Sequence, residues 1–369
     1  MTARRAPGQI DIEFSLALHD KTGKYFIGRD IGAATADLVH SHIFWRLSSQ
    51  TVPQRLAAKG LGRLLVTEVD ARVGSTAFDR LAPKQRPPRP VLHMDPFTTL
   101  VHALSPRDMV LCHDVGPLTH PDLFGAPVAA AYRKAYRQIA EAGPHMAFVS
   151  QTSQAAFHSL FGDAFASSRV IYPALRAEIA DGPQTSAPGV ETPFLLTVGS
   201  VGARKNQRRA IEAFAESGLA ARGVQYVLCG GREPGYEPAA LAAKQTPGVV
   251  LFDYVSDQTL NWLYGAAAGF VLPSLLEGFG VPVAESIARG LIPLVSADSV
   301  LHEVAGDGAL LVDPNDTAQI AAAMRALVMM PQAESERRRG MLTQSLTRFS
   351  DEAFARQWRV AIEQVIASA

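Results

Sequence analysis

The chain has 369 residues, 47% of them hydrophobic, and its 35 basic residues equal its 35 acidic ones. This length predicts two domains with large cores, and the composition excludes disordered, collagen-like and coiled-coil proteins. Cys112 and Cys229 stand far apart inside apolar runs, which excludes a disulfide framework. The first 20 residues lack a signal-peptide pattern, and no apolar run is long enough to span a bilayer, so we expect a soluble cytoplasmic protein.

The first half of the chain has an α/β pattern. An Asp-Ile-Glu sequence at 11–13 is similar to a metal-binding acidic triplet, but we expect it to lie in an irregular terminus and favour no metal there. Helices are predicted at Pro127–Ala142 and from about Ser153 onward. Strands are predicted at Leu61–Val66, Val91–His93, Met109–His113, Met146–Ser150 and Arg169–Tyr172.

The second half alternates apolar strands with helical patterns, as in parallel βαβ units. A stretch at 173–193, rich in Pro, Gly, Ser and Thr, predicts an interdomain linker. The pattern at Ser350–Ala369 predicts a last helix with one apolar face. Strands are predicted at Phe194–Gly199, Gln225–Cys229, Val249–Tyr254, Gly269–Pro273 and Ile292–Ser296, and helices at Asn206–Glu216, Pro238–Gln245, Asp257–Ala267 and Pro282–Arg289.

These elements predict an α/β protein with two doubly wound, Rossmann-like domains facing each other across a cleft. The domains would span residues 1–172 and 194–349, with the linker between them. In such sheets ligands bind at the carboxyl ends of the strands. Residues 1–172 carry 19 Lys and Arg against 14 Asp and Glu. This excess suits an anionic partner such as a phospholipid surface, although an imbalance of this size also arises by chance.

Two glutamates flank the start of the helix predicted at Pro282–Arg289. Glu277 precedes a Gly-Phe-Gly-Val loop at 278–281, and Glu285 lies within the first two turns. A helix N-terminus after a glycine loop binds anions, and two carboxylates there can grip hydroxyl groups on either side of a diphosphate. The alternative is a helix cap with a solvated glutamate, and the pair of carboxylates favours the binding site.

Adjacent cations follow the first strand of the second half. In Val198-Gly-Ser-Val-Gly-Ala-Arg204-Lys205-Asn206, a strand leads through a glycine turn to the head of a helix. Cations there oppose the helix dipole unless an anion is bound. The pattern predicts a phosphate clamp with Arg204 as a bidentate group and Lys205 as a point charge. The spacing matches neither a Walker loop nor the dinucleotide fingerprint.

A His-Asp pair ends the strand predicted at Met109–His113. The strand delivers His113 and Asp114 to the carboxyl edge of the first domain, ahead of a Gly-Pro turn. Buried histidines are often structural, and the sequence leaves the structural and the functional interpretation about equally favoured.

Together these stretches resemble retaining glycosyltransferases of the GT-B fold, family four. The carboxylate pair is similar to that family's Glu-x7-Glu motif, and Val198–Asn206 is similar to its donor-diphosphate motif. The segment from Tyr254 resembles the one leading into the nucleobase pocket, with Asp253 where a glycine is common. Tyr25–Arg29 loosely resembles the glycine-rich loop on the acceptor side. The resemblance is specific over Phe194–Val328 and weak before Met109.

The resemblance implies a function for each group. His113 would face the reacting centre, Glu277 would contact the transferred sugar, and Glu285 would hold the ribose hydroxyls. The last helix would pack back on the first domain. The implied catalytic residues are His113, Glu277, Lys205 and Arg204. The implied donor-binding residues are Gly199, Ser200, Arg204, Lys205, Tyr254, Val255, Glu277, Gly278, Phe279, Gly280, Val281 and Glu285, and the acceptor-side residues are Gly28, Arg29 and Asp114.

The resemblance further implies a metal-independent hexosyltransferase without a cofactor, in which the Arg-Lys clamp neutralises the leaving diphosphate. GDP-mannose is favoured as donor over UDP-glucose, because the clamp and the His-Asp segment are similar to mannosyltransferases. The implied acceptor is a glycan or lipid-linked hydroxyl in surface polysaccharide or lipopolysaccharide synthesis. Contact with the cytoplasmic membrane face is compatible with this, and no nucleic acid is implied. Two alternatives stay open: a nucleotide-sugar 2-epimerase, and an inactive binding subunit.

Overall fold

The structure, a computed structural model, describes residues 8–18, 23–175 and 183–368. The chain divides into two compact units. Unit 1 comprises Met1–Ala174 together with Asp351–Ala369, and unit 2 comprises Leu175–Ser350. Each unit carries a largely parallel sheet with helices, so the prediction of an α/β protein with two doubly wound domains is confirmed. Part of the linker predicted at 173–193 lies outside the described residues.

Unit 1 is built on a seven-stranded sheet in the order β3-β2-β1-β4-β5-β6-β7. Its pairs are parallel except β2 with β3, which are antiparallel neighbours on the edge. The central strands are buried along their whole length, as expected where helices cover both faces. The strands are β1 Ile10–Glu13, β2 Val39–Phe44, β3 Leu47–Ser49, β4 Val91–His93, β5 Met109–Cys112, β6 His145–Phe148 and β7 Ser167–Val170.

The described helices of unit 1 include the two predicted at 127–142 and from 153, with slightly different bounds. The strand predicted at Leu61–Val66 is wrong, because these residues lie inside α2. Within α2 the buried apolar residues Leu65 and Val69 are four residues apart, which is a helical period. The helices are α1 Gly23–Ala34, α2 Arg55–Gly74, α3 Thr76–Leu81, α4 Gly116–Thr119, α5 Ala126–Ala142, α6 Gln151–Phe161 and α14 Asp351–Ser368.

The expectation that residues 11–13 form an irregular terminus is also wrong. They lie in β1, between β2 and β4, in the middle of the sheet. Asp11 and Glu13 are both buried there, and Asp11 accepts a hydrogen bond from the Ser41 hydroxyl at 2.9 Å. Because two of its residues are acidic, this central strand does not form an apolar run, and a prediction based on apolar runs misses it.

The last helix, α14, belongs to unit 1. Its apolar face is buried as the sequence predicts, with Trp358 and Ile362 fully covered. On its other side Arg359 binds the Asp37 carboxylate through two nitrogens, at 2.6 and 2.9 Å. Unit 1 is therefore assembled from two segments of chain.

Unit 2 carries a six-stranded, wholly parallel sheet in the order β10-β9-β8-β11-β12-β13. The predicted strands are all present, shortened by up to two residues at their ends. The strands are β8 Phe194–Val198, β9 Gln225–Cys229, β10 Val249–Phe252, β11 Gly269–Leu272, β12 Pro293–Ser296 and β13 Leu310–Val312. The helices are α7 Gln207–Ser217, α8 Tyr236–Gln245, α9 Asp257–Ala266, α10 Val281–Ala288, α11 Val300–Ala305, α12 Thr317–Val328 and α13 Gln332–Leu346.

Both sheets reverse their winding direction between two neighbouring strands. In unit 1 the reversal lies between β1 and β4, and in unit 2 it lies between β8 and β11. The loops that leave such a strand pair run to opposite sides and open a crevice at the carboxyl edge. These two crevices are where the polar side chains described below are found.

Candidate functional site

The loop 199–206 joins β8 to α7 and carries the predicted clamp. Gly199 has a φ of +135°, and a Cβ atom on it would lie 3.2 Å from the Lys205 side chain, so a side chain there would be strained and would crowd the lysine. At the other end Asn206 is left-handed, with a φ of +61°. The side-chain amide of Asn206 donates to the carbonyls of Pro273, at 3.0 Å, and Pro314, at 2.7 Å. These bonds tie the loop to the end of β11.

Four charged side chains meet at this edge of unit 2. Lys205 Nζ lies 2.6 Å from Glu277 Oε1, and Arg204 Nη1 lies 2.9 Å from Glu277 Oε2. The other terminal nitrogen of Arg204 lies 3.2 Å from Glu233 Oε2. The same Glu233 oxygen accepts from the Ser200 hydroxyl at 2.6 Å. Two cations are thus balanced by two carboxylates.

Burial makes these ion pairs strong. Only 7% of the Lys205 side chain and 8% of the Glu277 side chain is exposed. Burial pushes the pKa of Glu277 up, but the charges of Lys205 and Arg204 outweigh it and hold this pKa at about 2. Burial likewise lowers the pKa of Arg204, and the charges of Glu277 and Glu233 raise it above its ordinary value. Glu277 and Arg204 are therefore both ionised at neutral pH.

The loop 278–280 and helix α10 follow Glu277 as predicted, with Pro282 in the first turn. Gly280 has a φ of +95°, and a Cβ atom on it would lie 2.3 Å from the Leu301 side chain, so glycine is required here. The Phe279 ring is buried edge-on against Phe349, with 5.2 Å between centroids. Phe279 therefore anchors the loop, and Val281 begins the helix.

The two glutamates of the predicted pair have different neighbours. Glu277 lies with the cations and also accepts from the Ser274 hydroxyl at 3.0 Å. Glu285, on α10, accepts from the Tyr264 hydroxyl at 3.2 Å. Tyr264 is fully buried, and burial and the Glu285 charge raise its pKa well above the ordinary value. The tyrosine therefore stays a hydrogen-bond donor that orients Glu285.

The segment after β10 contributes an exposed aromatic ring. Tyr254 is 83% exposed, and Val255 beside it is partly buried. A Cβ atom on Gly231 would lie 2.6 Å from the Tyr254 hydroxyl, so the ring lies close over the β9 loop. Asp253, the departure from the family pattern, binds Arg232 at 2.7 Å and accepts from Tyr236 at 2.7 Å. The substitution thus brings its own set of partners.

In unit 1, His113 and Asp114 follow β5 at the carboxyl edge, as predicted. His113 is buried, and its Nε2 lies 2.9 Å from the carbonyl oxygen of Met94. Because a carbonyl only accepts, Nε2 carries the proton. Burial lowers the pKa of His113 to about 4, so the ring is neutral at pH 7. Asp114 instead accepts from the Gly116 amide at 2.8 Å.

The comparison of Tyr25–Arg29 with an acceptor-side glycine loop is wrong in its local structure. These residues lie inside helix α1. Gly28 is needed there for packing, because a Cβ atom would lie 2.5 Å from the Phe14 ring. Arg29 binds the neighbouring Asp30 at 2.7 Å on the surface. Neither residue presents the free backbone of a loop.

A second charged cluster at the unit 1 crevice was missed by the sequence analysis. Lys24, in the first turn of α1, lies 2.8 Å from Asp95 and 3.1 Å from the Tyr132 hydroxyl. Asp95 also accepts from Tyr132 at 2.8 Å. Glu13, at the end of β1, is wholly buried, and burial raises its pKa to about 8. No local pattern joins residues separated by up to 119 positions.

Glu233 of unit 2 was missed as well. It follows Gly230 and Gly231 at the carboxyl end of β9, the same kind of position that singled out Arg204 and Lys205. A rule that collects polar residues after every strand of a doubly wound sheet would have found it.

Residues 8–18, 23–175 and 183–368 were searched for a metal site and for a membrane-spanning helix. Among them no group of three or more His, Cys, Asp or Glu side chains is arranged to hold a metal ion. Nor is any helix within these ranges long and apolar enough to cross a membrane.

Part of the chain, most of it in unit 2, is similar to known proteins. Residues 181–341 match the family described as glycosyl transferases group 1. The chain is 34% identical over 134 residues to O-antigen chain mannosyltransferase B of Escherichia coli, covering 35% of each chain. It is 38% identical over 87 residues to O-antigen chain mannosyltransferase RfbU of Salmonella typhimurium, covering 24% of this chain and 25% of that one. The matched segments thus span a quarter to about a third of these relatives.

Solved structures show the fold of the chain. Sucrose-phosphate synthase from Thermosynechococcus elongatus aligns with a TM-score of 0.68 at 17% identity, covering 98% of this chain and 100% of that one. A trehalose-phosphate synthase from Burkholderia vietnamiensis aligns with a TM-score of 0.61 at 14% identity, covering 96% and 84%. These findings confirm the predicted resemblance to group 1 glycosyltransferases and the GT-B fold.

Proposed function

We propose that this chain, in which residues 181–341 match the glycosyl transferases group 1 family, moves a hexose from a nucleotide-diphosphate sugar to an acceptor hydroxyl with retention of configuration. One observation carries the proposal. Arg204 and Lys205 converge on the buried Glu277 at the carboxyl edge of that domain, where doubly wound sheets bind ligands. Cations at this position suit a diphosphate leaving group.

The proposed reaction needs no protein nucleophile. The bond between the anomeric carbon and the phosphate oxygen breaks, and the acceptor oxygen bonds to the same face of that carbon. The acceptor proton passes to the departing phosphate oxygen. Arg204 and Lys205 stabilise the negative charge that accumulates there, and preorganised cations in a buried site are effective at this. Glu277 keeps both cations in place and contacts the transferred sugar.

The remaining site residues are proposed to bind and orient the donor. Glu285 would hold the ribose hydroxyls, with Tyr264 fixing its carboxylate. The loop 278–281 would contact the sugar and its phosphate, and Tyr254 and Val255 would line the nucleobase. His113 would contact the sugar as a neutral ring, which its burial supports. Gly28, Arg29 and Asp114 stay the acceptor-side candidates, with the helical setting of the first two now known.

We propose mannose as the transferred sugar and GDP as its carrier. The O-antigen chain mannosyltransferases that match part of this chain support this choice. By the same reasoning the acceptor is a glycan or lipid-linked hydroxyl in surface polysaccharide synthesis. A lipid-linked acceptor would bring the protein to the cytoplasmic membrane face, where the basic excess of residues 1–172 favours anionic lipid.

We propose that the reaction proceeds without a metal ion. The positive charge that a metal ion would supply to the leaving group comes from Arg204 and Lys205. Transfer should therefore persist in EDTA. Complete loss of transfer in EDTA, restored by manganese or magnesium, would contradict this assignment.

The first experiment is a thermal-shift screen of the purified chain against GDP, UDP, GDP-mannose and UDP-glucose. A ligand at 100 times its Kd stabilises the folded state by about 2.7 kcal/mol. The best donor is then incubated with and without lipid-linked acceptor, and the products are separated. Transfer only in the presence of acceptor supports the proposal, and a C2 epimer formed without acceptor would replace it. If the chain binds none of the four ligands, the proposed function is wrong.

A further inference from the structure

Glu233 is held less completely than the other carboxylate of the unit 2 cluster. Its Oε2 accepts from Ser200 and Arg204, but its Oε1 is buried without a hydrogen-bond partner among the described residues. Glu277, in contrast, accepts from Lys205, Arg204 and Ser274 through both oxygens. A buried oxygen without a partner is unfavourable. Of the two carboxylates, Glu233 is therefore the easier to displace.

Arg204 does not depend on Glu233 for its position. Its Nη1 donates to the Leu276 carbonyl at 3.1 Å and to Glu277 at 2.9 Å. If the Glu233 side chain turned away, Arg204 would stay in place. Its Nη2 and the Ser200 hydroxyl would then be open to another acceptor.

The backbone around Glu233 is fixed, so only its side chain needs to move. Its amide donates to the Val201 carbonyl at 3.0 Å, and the Ala203 amide donates to the Pro234 carbonyl at 2.9 Å. These bonds join the loops that follow β8 and β9. Gly202 lies between them, where a Cβ atom would be 2.2 Å from the Glu233 side chain. The glutamate thus lies directly on the predicted phosphate loop.

The donors that Glu233 uses are the donors that a phosphate would use. Hydroxyl and guanidinium groups bind carboxylate and phosphate oxygens in the same way. We propose that the Glu233 carboxylate takes the place of a phosphate group in the nucleotide-free protein, and that it leaves Ser200 and Arg204 when the donor diphosphate binds. This inference rests on the proposed function, since it concerns how Ser200 and Arg204 of the same site are held between turnovers.

The inference has a measurable consequence. A bound diphosphate must displace the Glu233 carboxylate and then lies near its negative charge. Replacing the carboxylate by a neutral amide weakens its hydrogen bonds with Ser200 and Arg204, removes the negative charge and leaves the shape of the side chain. We expect Glu233→Gln to bind GDP three- to tenfold more tightly than the natural chain. The inhibition constant of GDP as a product should fall by the same factor.

Titration calorimetry on the full chain tests this, with GDP as the probe and UDP where GDP gives no heat. The matched control is Glu237→Gln, because Glu237 is exposed in the first turn of α8 and has no hydrogen bond to Ser200 or Arg204. It removes the same charge, and its affinity should stay within twofold of the natural chain. The nucleoside without phosphates should show equal affinity for all variants. Circular dichroism and a Glu233→Ala variant, for which the same tightening is expected, exclude a folding artefact.

The outcomes separate the two proposals. If the natural chain binds GDP or UDP and both Glu233 variants bind it equally or more weakly, Glu233 only positions Arg204 and the inference is overturned. An equal tightening in Glu237→Gln would also overturn it, because the effect would then be one of net charge. If no form of the chain binds either nucleotide, the proposed function itself fails and the inference fails with it.

Discussion

The two units collect charged side chains at equivalent places but balance them differently. In unit 2 the crevice beside β8 and β11 holds two cations and two carboxylates. In unit 1 the crevice beside β1 and β4 holds the Lys24 ammonium against the Asp95 carboxylate, and the buried Glu13 carboxyl feels the charge of that aspartate. Burial alone raises a carboxyl pKa, and a nearby cation lowers it. The number of cations therefore decides which acids ionise.

The pKa values of the acids follow this balance. Glu277 has two cations beside it and a pKa of about 2. Burial raises the pKa of Asp95, but the charge of Lys24 lowers it further, and the result lies below the ordinary value. Glu13 is dominated by burial and has a pKa of about 8, in spite of its hydrogen bonds with Ser15. The comparison shows an ionised site in unit 2 and a partly protonated one in unit 1.

The largest effect is expected when Lys205 of unit 2 is replaced, and it should be a loss of activity that replacement of Lys24 in unit 1 does not share through donor binding. Lys205→Ala should lower kcat/KM by about 10²–10³, since removing one electrostatic donor to a developing charge costs about 2.7–4 kcal/mol. The loss should exceed any loss of affinity for the intact donor. Lys205→Arg should recover only part of the activity, because a planar fork cannot replace a compact point charge. Steady-state kinetics measures this, and a Lys205→Ala enzyme within threefold of the natural one would contradict the clamp.

Lys24→Ala is the matched variant in unit 1. It also removes the cation of an ion pair with a buried carboxylate, and breaking such a pair costs about 3 kcal/mol of folding free energy. Its affinity for GDP should nevertheless equal that of the natural chain, because donor binding is assigned to unit 2. Calorimetric titration beside thermal melts shows whether the two effects separate.

The stability of unit 1 should fall as pH rises. The Glu13 carboxyl ionises at about 4.5 in the unfolded chain and at about 8 in the folded one. Between these values the unfolded chain binds fewer protons, so stability is lost with rising pH and the loss is complete above about 8. Glu13→Gln should stabilise the protein at pH 7 by on the order of 3 kcal/mol. Melts from pH 4.5 to 8.5 test this, and an unchanged slope would refute it.

Unit 2 should respond in the opposite direction. Glu277 has a folded pKa of about 2 against an ordinary value of 4.5. Its ion pairs therefore contribute stability above pH 4.5, and this contribution is lost as pH falls towards 2. The amount is on the order of 3 kcal/mol. Glu277→Gln should remove this part of the loss of stability at low pH. Acid titration followed by tryptophan fluorescence measures it, and a variant that loses stability as steeply as the natural chain would contradict the prediction.

The smallest effect concerns the orientation of Glu285. Tyr264→Phe removes one hydrogen bond to that carboxylate, worth about 0.5–1.5 kcal/mol. KM for the donor should rise about two- to tenfold with little change in kcat. Tyr226→Phe is the control, since its buried hydroxyl lies 2.7 Å from Thr197 Oγ1. Equal KM values in both variants would mean that Glu285 needs no such support.

Much of unit 2 could be predicted from the sequence because its strands are short apolar runs between glycine-bearing loops. The clamp at Arg204 and Lys205 and the pair at Glu277 and Glu285 lie within such local patterns, and the predicted strand ends place them on one edge. What the sequence could not supply was burial. Lys205, predicted as a point charge at the head of a helix, is almost fully enclosed beside Glu277.

Unit 1 was harder because its informative contacts are long-range. The central strand β1 carries two acidic residues, so an apolar-run criterion passed over it. The apolar residues 61–66 satisfy a strand pattern as well as a helical one, and tertiary packing chose the helix. The pairing of Lys24 with Asp95 joins residues 71 positions apart. Such a pair follows only from the sheet order, which the sequence does not state.

Because α14 belongs to unit 1, the order of synthesis differs from the order of domains. The ribosome completes all of unit 2 before it makes Trp358 and the rest of that apolar face. At about 5–20 residues per second, the surface of unit 1 that α14 covers stays uncovered for roughly 10–35 s. Unit 2, being continuous in the chain, can fold meanwhile. A nascent chain stalled after Ser350 would thus expose an apolar surface, of the kind that chaperones bind.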